Sequence, residues 1–315
     1  MNFFTSKKTT LFLATACALA FFSTVASARI ERAVEKTFSV QSGAKLSVST
    51  SGGKVRVEPG DVQSVRIVAR QIFPRAKSEA EADEIAKSLD LVMEQSGNSV
   101  SASAKYTKAT LRRAPVCVEF DVIVPRACDA TVTTSGGDVF VGDLAGTVKV
   151  RTSGGDVELG RIDGIVSAHT SGGDVDLAGC TKNATLETSG GDIETGAVAG
   201  DLAITTSGGD IKIKGVSGTV TARTSGGDIE ADLSDVTSEC SLSTSGGDVE
   251  LKLGKSSGLL VDAVTKSGRV KTEGNLQIAL LAGGNGKSRL SGKINGGGPL
   301  VKVRTSGGDI EVKAR

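Results

Sequence analysis

Residues 134–151 read TSGGDVFVGDLAGTVKVR, residues 152–169 read TSGGDVELGRIDGIVSAH, and residue 170 starts the same five letters again. The motif begins at Thr134, Thr152, Thr170, Thr188, Thr206 and Thr224, a strict period of 18. It returns at Thr244 after 20 residues and at Thr305. TKSGRV from Thr265 is a decayed copy, and TSGGKVRV from Thr50 is an isolated early one. Chance glycine richness does not hold such a register, so the chain is a repeat protein.

Numbering each repeat from its Thr exposes the pattern. Position 6 is Val139, Val157, Val175, Ile193, Ile211 and Ile229; position 8 is Val141, Leu159, Leu177, Thr195, Ile213 and Ala231. Positions 15 and 17 are again apolar (Val148 and Val150, Val166 and Ala168, Leu202 and Ile204), while 5, 7, 16 and 18 are mostly polar or charged. Two short period-two runs predict two half-buried strands per repeat. Position 11 (Leu144, Ile162, Cys180, Val198, Val216) breaks the parity set by 6 and 8, which predicts a bend or bulge near positions 9 and 10. Gly146, Gly164, Gly200 and Gly218 at position 13 mark a second corner.

Three architectures accommodate this period. A three-sided helix of hexapeptides needs small or apolar residues at position 18, where Arg151, His169, Glu187 and Arg223 stand. A long antiparallel meander suits Gly-Gly turns but leaves one apolar face uncovered. The remaining reading is an all-β, elongated two-sheet parallel β-solenoid with about 18 residues per coil. Ten or so coils at about 4.8 Å each make a rod on the order of 50 Å long. Residues 29–130 are expected to form a β-rich N-terminal cap domain, with strands near 45–49, 65–72 and 116–124 and one short helix over 77–89. Residues 131–315 form the solenoid. The end DIEVKAR is expected to leave a sheet edge partly open, with Lys313 and Arg315 discouraging further pairing.

The first 28 residues have another purpose. Lys7 and Lys8 precede an almost wholly apolar run over 11–25, and Ala26-Ser27-Ala28 offers a small-x-small cleavage site. This is the pattern of a secretory signal peptide cleaved after Ala28. A lipoprotein signal ending at Cys17 fits less well, because the apolar run continues past it. No later stretch is apolar for the ~18 residues a membrane span needs. Loss of Lys7 and Lys8 moves the formal charge from +1 to −1, so no nucleic-acid partner is expected. The location expected is periplasmic or extracellular, where disulfides are permitted. Cys117 and Cys128 are close enough in sequence to bridge; Cys180 and Cys240 fall on apolar repeat positions and read as buried core residues.

Several motifs together carry a resemblance: the exported start, LSVSTSGGKVRVEPGD near the N-terminus, VEFDVIVP before the repeats, the TSGGD coils and the terminal INGGGPLVKVRTSGGDIEV. Over nearly the whole mature chain they resemble the bacterial "putative adhesin", or "beta strand repeat-containing", domain family of unknown function. The resemblance implies a structural or binding protein of the envelope or surface. It supplies no catalytic or binding residues.

The sharpest candidate site is the Asp column, Asp138, Asp156, Asp174, Asp192, Asp210, Asp228 and Asp248, continued at Asp309. As a carboxylate ladder it would hold Ca²⁺, which takes 6–8 oxygens. As a corner it needs no ion: Gly-Gly supplies the backbone angles, and Asp and Ser bond to the turn's own backbone. The corner glycines are Gly136, Gly137, Gly154, Gly155, Gly172, Gly173, Gly190, Gly191, Gly208, Gly209, Gly226 and Gly227. The Thr column continues the inward parity of positions 15 and 17, and each buried hydroxyl requires a partner. AGGNGKS (282–288) lacks the first Gly of a phosphate loop and reads as a plain loop. The single His, His169, sits at an outward position, and no Ser-His-Asp, Cys-His or zinc spacing occurs. The expectation is a non-enzymatic rod without cofactor, whose partner is an envelope or surface protein or glycan. Phe140 and residues 256–299 are where the surface departs from repetition. The alternatives are a Ca²⁺-binding β-roll and a carbohydrate-active β-helix.

Overall fold

The computed structural model describes residues 30–107, 116–233, 236, 238–254 and 258–314. The expected signal peptide lies outside them. Among the described residues no helix is long and apolar enough to cross a membrane.

The repeats form a parallel two-sheet solenoid. Positions 6–8 of successive coils pair in parallel, Val157 opposite Val139 and Val175 opposite Val157. Positions 15–18 do the same in a second sheet, Val148 opposite Val166 and Val166 opposite Ala184. The inward residues of both sheets share one core, in which Val157, Leu159, Ile162, Val166 and Ala168 are all 2% exposed or less. Burial of one such aliphatic side chain contributes about 1.5–3 kcal/mol. The bend at positions 9 and 10 is present: the register of Val157–Ile162 skips position 9 and resumes at Arg161 and Ile162. Leu144 and Ile162, and Val198 and Val216, then bridge in parallel, so position 11 stacks as well.

Among the described residues one sheet has thirteen strands and the other fourteen, and both include strands from the N-terminal segment. Spatial order departs from chain order at both ends. Near the start, Ala44–Thr50 lies between Ser99–Tyr106 and Cys128–Thr134, and Val55–Gly60 lies between Cys117–Pro125 and Val139–Val141. Near the end, Leu300–Thr305 lies between Cys240–Ser243 and Leu259–Thr265, and Ile310–Ala314 lies between Val249–Leu253 and Val270–Glu273. The last coil of the chain is therefore an interior coil of the stack.

This placement corrects the expected open edge at DIEVKAR. Ile310–Ala314 is paired on both sides, and Val270–Glu273 is the edge. Lys313 does not guard an edge; its ammonium sits 2.9 Å from Glu250 and 3.1 Å from Glu311, and both carboxylates raise its pKa.

Three smaller expectations also change. The helix spans Glu79–Ala86, capped by Ser78, whose hydroxyl accepts the Glu81 N–H. Leu89 does not extend it but opens the strand Leu89–Ser96, paired antiparallel with Ser99–Tyr106. Cys117 and Cys128 do not bridge: they stand in different sheets, and their thiols donate to the Gly52 and Asp129 carbonyls. AGGNGKS is no plain loop, because Ile278–Gly286 is a strand paired antiparallel with Arg289–Ile294. Cys180 and Cys240 are buried in the core.

Candidate functional site

The repeated corner is built from position 1 outward. Each Thr points inward as parity requires, and Thr152, Thr170, Thr188, Thr206 and Thr224 are all buried. The Thr170 hydroxyl donates to the carbonyl of Gly155, in the preceding coil, at 2.9 Å. It also accepts the N–H of Gly173, in its own coil, at 3.4 Å. Thr152 treats Gly137 and Gly155 the same way, at 3.1 and 3.4 Å, and Thr188 treats Gly173 and Gly191 at 2.8 and 3.4 Å. The same bond runs through the displaced coils: Thr134 to Gly53 at 3.3 Å, Thr305 to Gly247 at 2.8 Å and Thr265 to Gly308 at 2.8 Å.

The two glycines of each corner do different work. From Gly136 to Gly227 no corner glycine has a φ in the left-handed region, so the expectation that Gly-Gly supplies special backbone angles is corrected there; Gly53, in the early corner at Thr50, is the exception at φ 120°. The second glycine is needed for close approach. A Cβ on Gly155 would stand 2.3 Å from the Gly137 carbonyl oxygen, and one on Gly209 would stand 2.0 Å from that of Gly191. The first glycine has room: a Cβ on Gly154 meets nothing nearer than Gly136 Cα at 3.8 Å.

The Asp column is a ladder between coils. Asp156 Oδ1 accepts the N–H of Asp174 at 2.9 Å, Asp174 that of Asp192 at 2.7 Å, and Asp192 that of Asp210 at 2.7 Å. Asp138, Asp210, Asp228 and Asp248 extend the series to Asp309. The expectation that Asp bonds its own turn is thus replaced by a bond to the next coil. Each rung uses one carboxylate oxygen; at the ends of the column the other pairs with a lysine, Lys54 at Asp138 and Lys271 at Asp309. Among the described residues no group of three or more His, Cys, Asp or Glu side chains is arranged to hold a metal ion.

A second ladder at the opposite corner escaped the sequence reading. Asp129 accepts the Thr147 N–H at 2.7 Å, Asn183 that of Asp201 at 3.0 Å, and Asp201 that of Thr219 at 2.9 Å. The signal was position 14, where Asn183 and Asp201 stand between Ile165 and Thr219. The alternation there is too irregular to read as a column.

The two outer faces differ in chemistry. The face of the thirteen-stranded sheet carries the Asp column beside Glu158, Asp176, Glu194 and Glu230, and a groove of about 460 Å³ runs between Asp174, Asp192, Asp210 and Asp228. Crowding strips water from Asp176, and the carboxylates of Glu194, Asp174, Glu158 and Asp156 add repulsion, so its pKa is raised. The face of the fourteen-stranded sheet carries Ser47, Ser49, Thr131, Thr133, Thr185 and Thr221 among scattered charges. Beside the bend, Arg126, Arg161 and Lys214 rim a groove of about 580 Å³ floored by Gly179, Ala197 and Gly215.

The two outward residues singled out by sequence are both engaged. The Arg56 guanidinium covers the Phe140 ring at 4.2 Å from its centroid. His169 Nδ1 lies 3.2 Å from a Glu187 carboxylate oxygen in the next coil. At inward position 8, Thr195 is fully buried and its hydroxyl has no hydrogen-bond partner.

Among the solved structures similar to this chain are the following two. The "putative lipid binding protein" of Parabacteroides distasonis ATCC 8503 is 13% identical, with 90% of this chain and 96% of that chain covered and a TM-score of 0.47. The "putative adhesin" of Bacteroides fragilis NCTC 9343 is 14% identical, with 90% and 97% covered and a TM-score of 0.41. No curated protein sequence matches. The model of the Toastrack DUF4097 family matches residues 24–313, and the chain belongs to that family.

Proposed function

We propose that this protein is an exported, non-enzymatic rod of the bacterial envelope or surface, adhesin-like in role, working without a cofactor. The observation that carries this reading is how the repeated polar groups are used. The Thr hydroxyls and one oxygen of each Asp in the column are bonded from coil to coil. The motif that dominates the sequence therefore maintains the length and stiffness of the rod. Binding is left to the outer faces, where the acidic and the hydroxyl-rich sides offer different chemistry to a protein or glycan. The lysine pair, apolar run and small-x-small site of residues 1–28 support export.

Fractionation of cells producing the tagged chain tests export. The processed protein should start at Arg29 and leave the cytosol; an unprocessed cytosolic chain would overturn this part. Binding of residues 29–315 to glycan arrays and isolated envelope proteins, with turnover assays on each hit, tests the rest. Conversion of any bound glycan would contradict the non-enzymatic reading.

A further inference from the structure

The two ends of the rod are closed in different ways. At the N-terminal end the outermost strands are Ile30–Ser39 and Leu89–Ser96. The helix Glu79–Ala86 is tied to the first of them by Arg32, 2.6 Å from Glu79 and 2.7 Å from Asp83, and the helix buries its own Ala82 fully. Lys36 donates to the Met93 carbonyl at 3.0 Å and Gln95 to the Ser39 carbonyl at 2.7 Å, joining one edge to the other. Both strands carry acidic side chains, among them Glu31, Glu35, Asp90 and Glu94.

At the C-terminal end the fourteen-stranded sheet runs two strands further, Arg289–Ile294 and then Ile278–Gly286, beyond the layer that ends the other sheet at Val270–Glu273. Ile278 stands opposite Ile294, and Leu280 opposite Gly292. Ile294 is fully buried, so Ile278 and Leu280 lie on the core side of the sheet. No described strand of the other sheet stands over them there. Leu280 is 48% exposed and Leu281 41%. Residues 274–286 contain no ionisable side chain, whereas Val270–Glu273 carries Lys271 and Glu273. Of the four terminal strands, this one alone lacks the charges that deter edge pairing.

We propose that this end is a self-association surface, on which a second copy of the chain places its own Ile278–Gly286 strand antiparallel to the first across a two-fold axis. Three features favour a second copy. The strand already runs antiparallel to its inner neighbour, so the same strand from another molecule continues the ladder isologously. Neutrality removes like-charge repulsion between copies and offers a charged partner nothing to pair with. The apolar Leu280 and Leu281 are complementary to themselves, and each copy removes the other's from water. The strand is regular over residues 278–280, before the register break between Leu280 and Asn285, so the pairing centres there, with Leu281 beside it. The result is two rods joined end to end.

Light scattering and small-angle scattering of residues 29–315, from micromolar to millimolar concentration, test the proposal. The mass should rise to about twice that of the monomer as the particle roughly doubles in length. Leu280→Lys should weaken association by about tenfold or more, equivalent to about 1.4 kcal/mol, with an unchanged melting curve showing that it still folds. Ile165→Lys, at a 46% exposed apolar residue elsewhere, should leave association unchanged. A monomer at every concentration overturns the proposal. So does a dimer that Leu280→Lys leaves intact, one that Ile165→Lys weakens equally, or one that forms side by side. The contact does not depend on what the side faces bind, so a failed ligand screen and a monomeric rod are separate results.

Discussion

The hydroxyl of Thr170 donates to the carbonyl of Gly155, one coil back, at 2.9 Å, and accepts the N–H of Gly173 at 3.4 Å. One side chain thereby joins two successive corners. Thr170→Val keeps the shape but leaves a buried carbonyl and a weakly held N–H without this partner. A loss of about 1–3 kcal/mol is expected in denaturant unfolding. Thr170→Ser, which retains the hydroxyl, should lose less; equal losses would refute the bonding role.

The two glycines of one corner should respond differently. Gly155→Ala places a Cβ 2.3 Å from backbone and forces the coils apart, with a cost of about 1–3 kcal/mol. Gly154→Ala meets only open space and a distant Cα. It should fall within about 1 kcal/mol of the parent, on either side. Comparable destabilisation by both would mean that backbone angles, rather than stacking distance, select glycine.

Thr195 interrupts an apolar column between Leu177 and Ile213, and its buried hydroxyl is unpartnered. Thr195→Val should stabilise the rod by about 1 kcal/mol, read as a higher Tm. A lower Tm would show that the hydroxyl has a partner, such as a buried water.

Asp192 accepts the Asp210 amide at 2.7 Å through one carboxylate oxygen. Asp192→Asn keeps an acceptor and removes one charge from a repelling column, so stability should hold or rise slightly. Asp192→Ala should lose about 1 kcal/mol. Millimolar Ca²⁺ should leave the parent Tm unchanged; a rise that Asp192→Asn abolishes would establish a metal site instead.

Asp176 links the acidic face to pH. Its folded pKa is raised by crowding and by neighbouring carboxylates, so the native state holds this proton more tightly than the unfolded chain. Its contribution to stability is therefore greatest at low pH and falls as pH rises from the unfolded value through the folded one. Asp176→Asn should raise Tm at neutral pH by a small amount and flatten the acid-side profile. An unchanged profile would show that the face is already well screened.

Much of the rod was legible because period and parity are local properties. Val157 and Leu159 alternate with polar neighbours, so the strand and its buried face follow from four letters. The Asp and Thr columns were equally visible, but their partners were not. The distance from Thr170 to Gly155 is 15 residues along the chain and one hydrogen bond in space. Thr195 appeared only as a substitution in a column, and its missing partner depends on side chains from adjacent coils.

The sequence by itself determined the unit: two short strands, a bend at positions 9 and 10, and a TSGG corner every 18 residues. Only the tertiary structure decided the order of stacking. Coil 44–60 enters between strands 99–106 and 117–125 on one side and 128–141 on the other, and coil 300–314 enters between 240–253 and 259–273. The physical reason is that coils with the same corner present the same stacking surface. Thr305 reaches Gly247 as readily as Thr244 reaches Gly227, at 2.8 Å in both cases. Local chemistry does not distinguish such neighbours, so the order of stacking is not legible in the repeat itself.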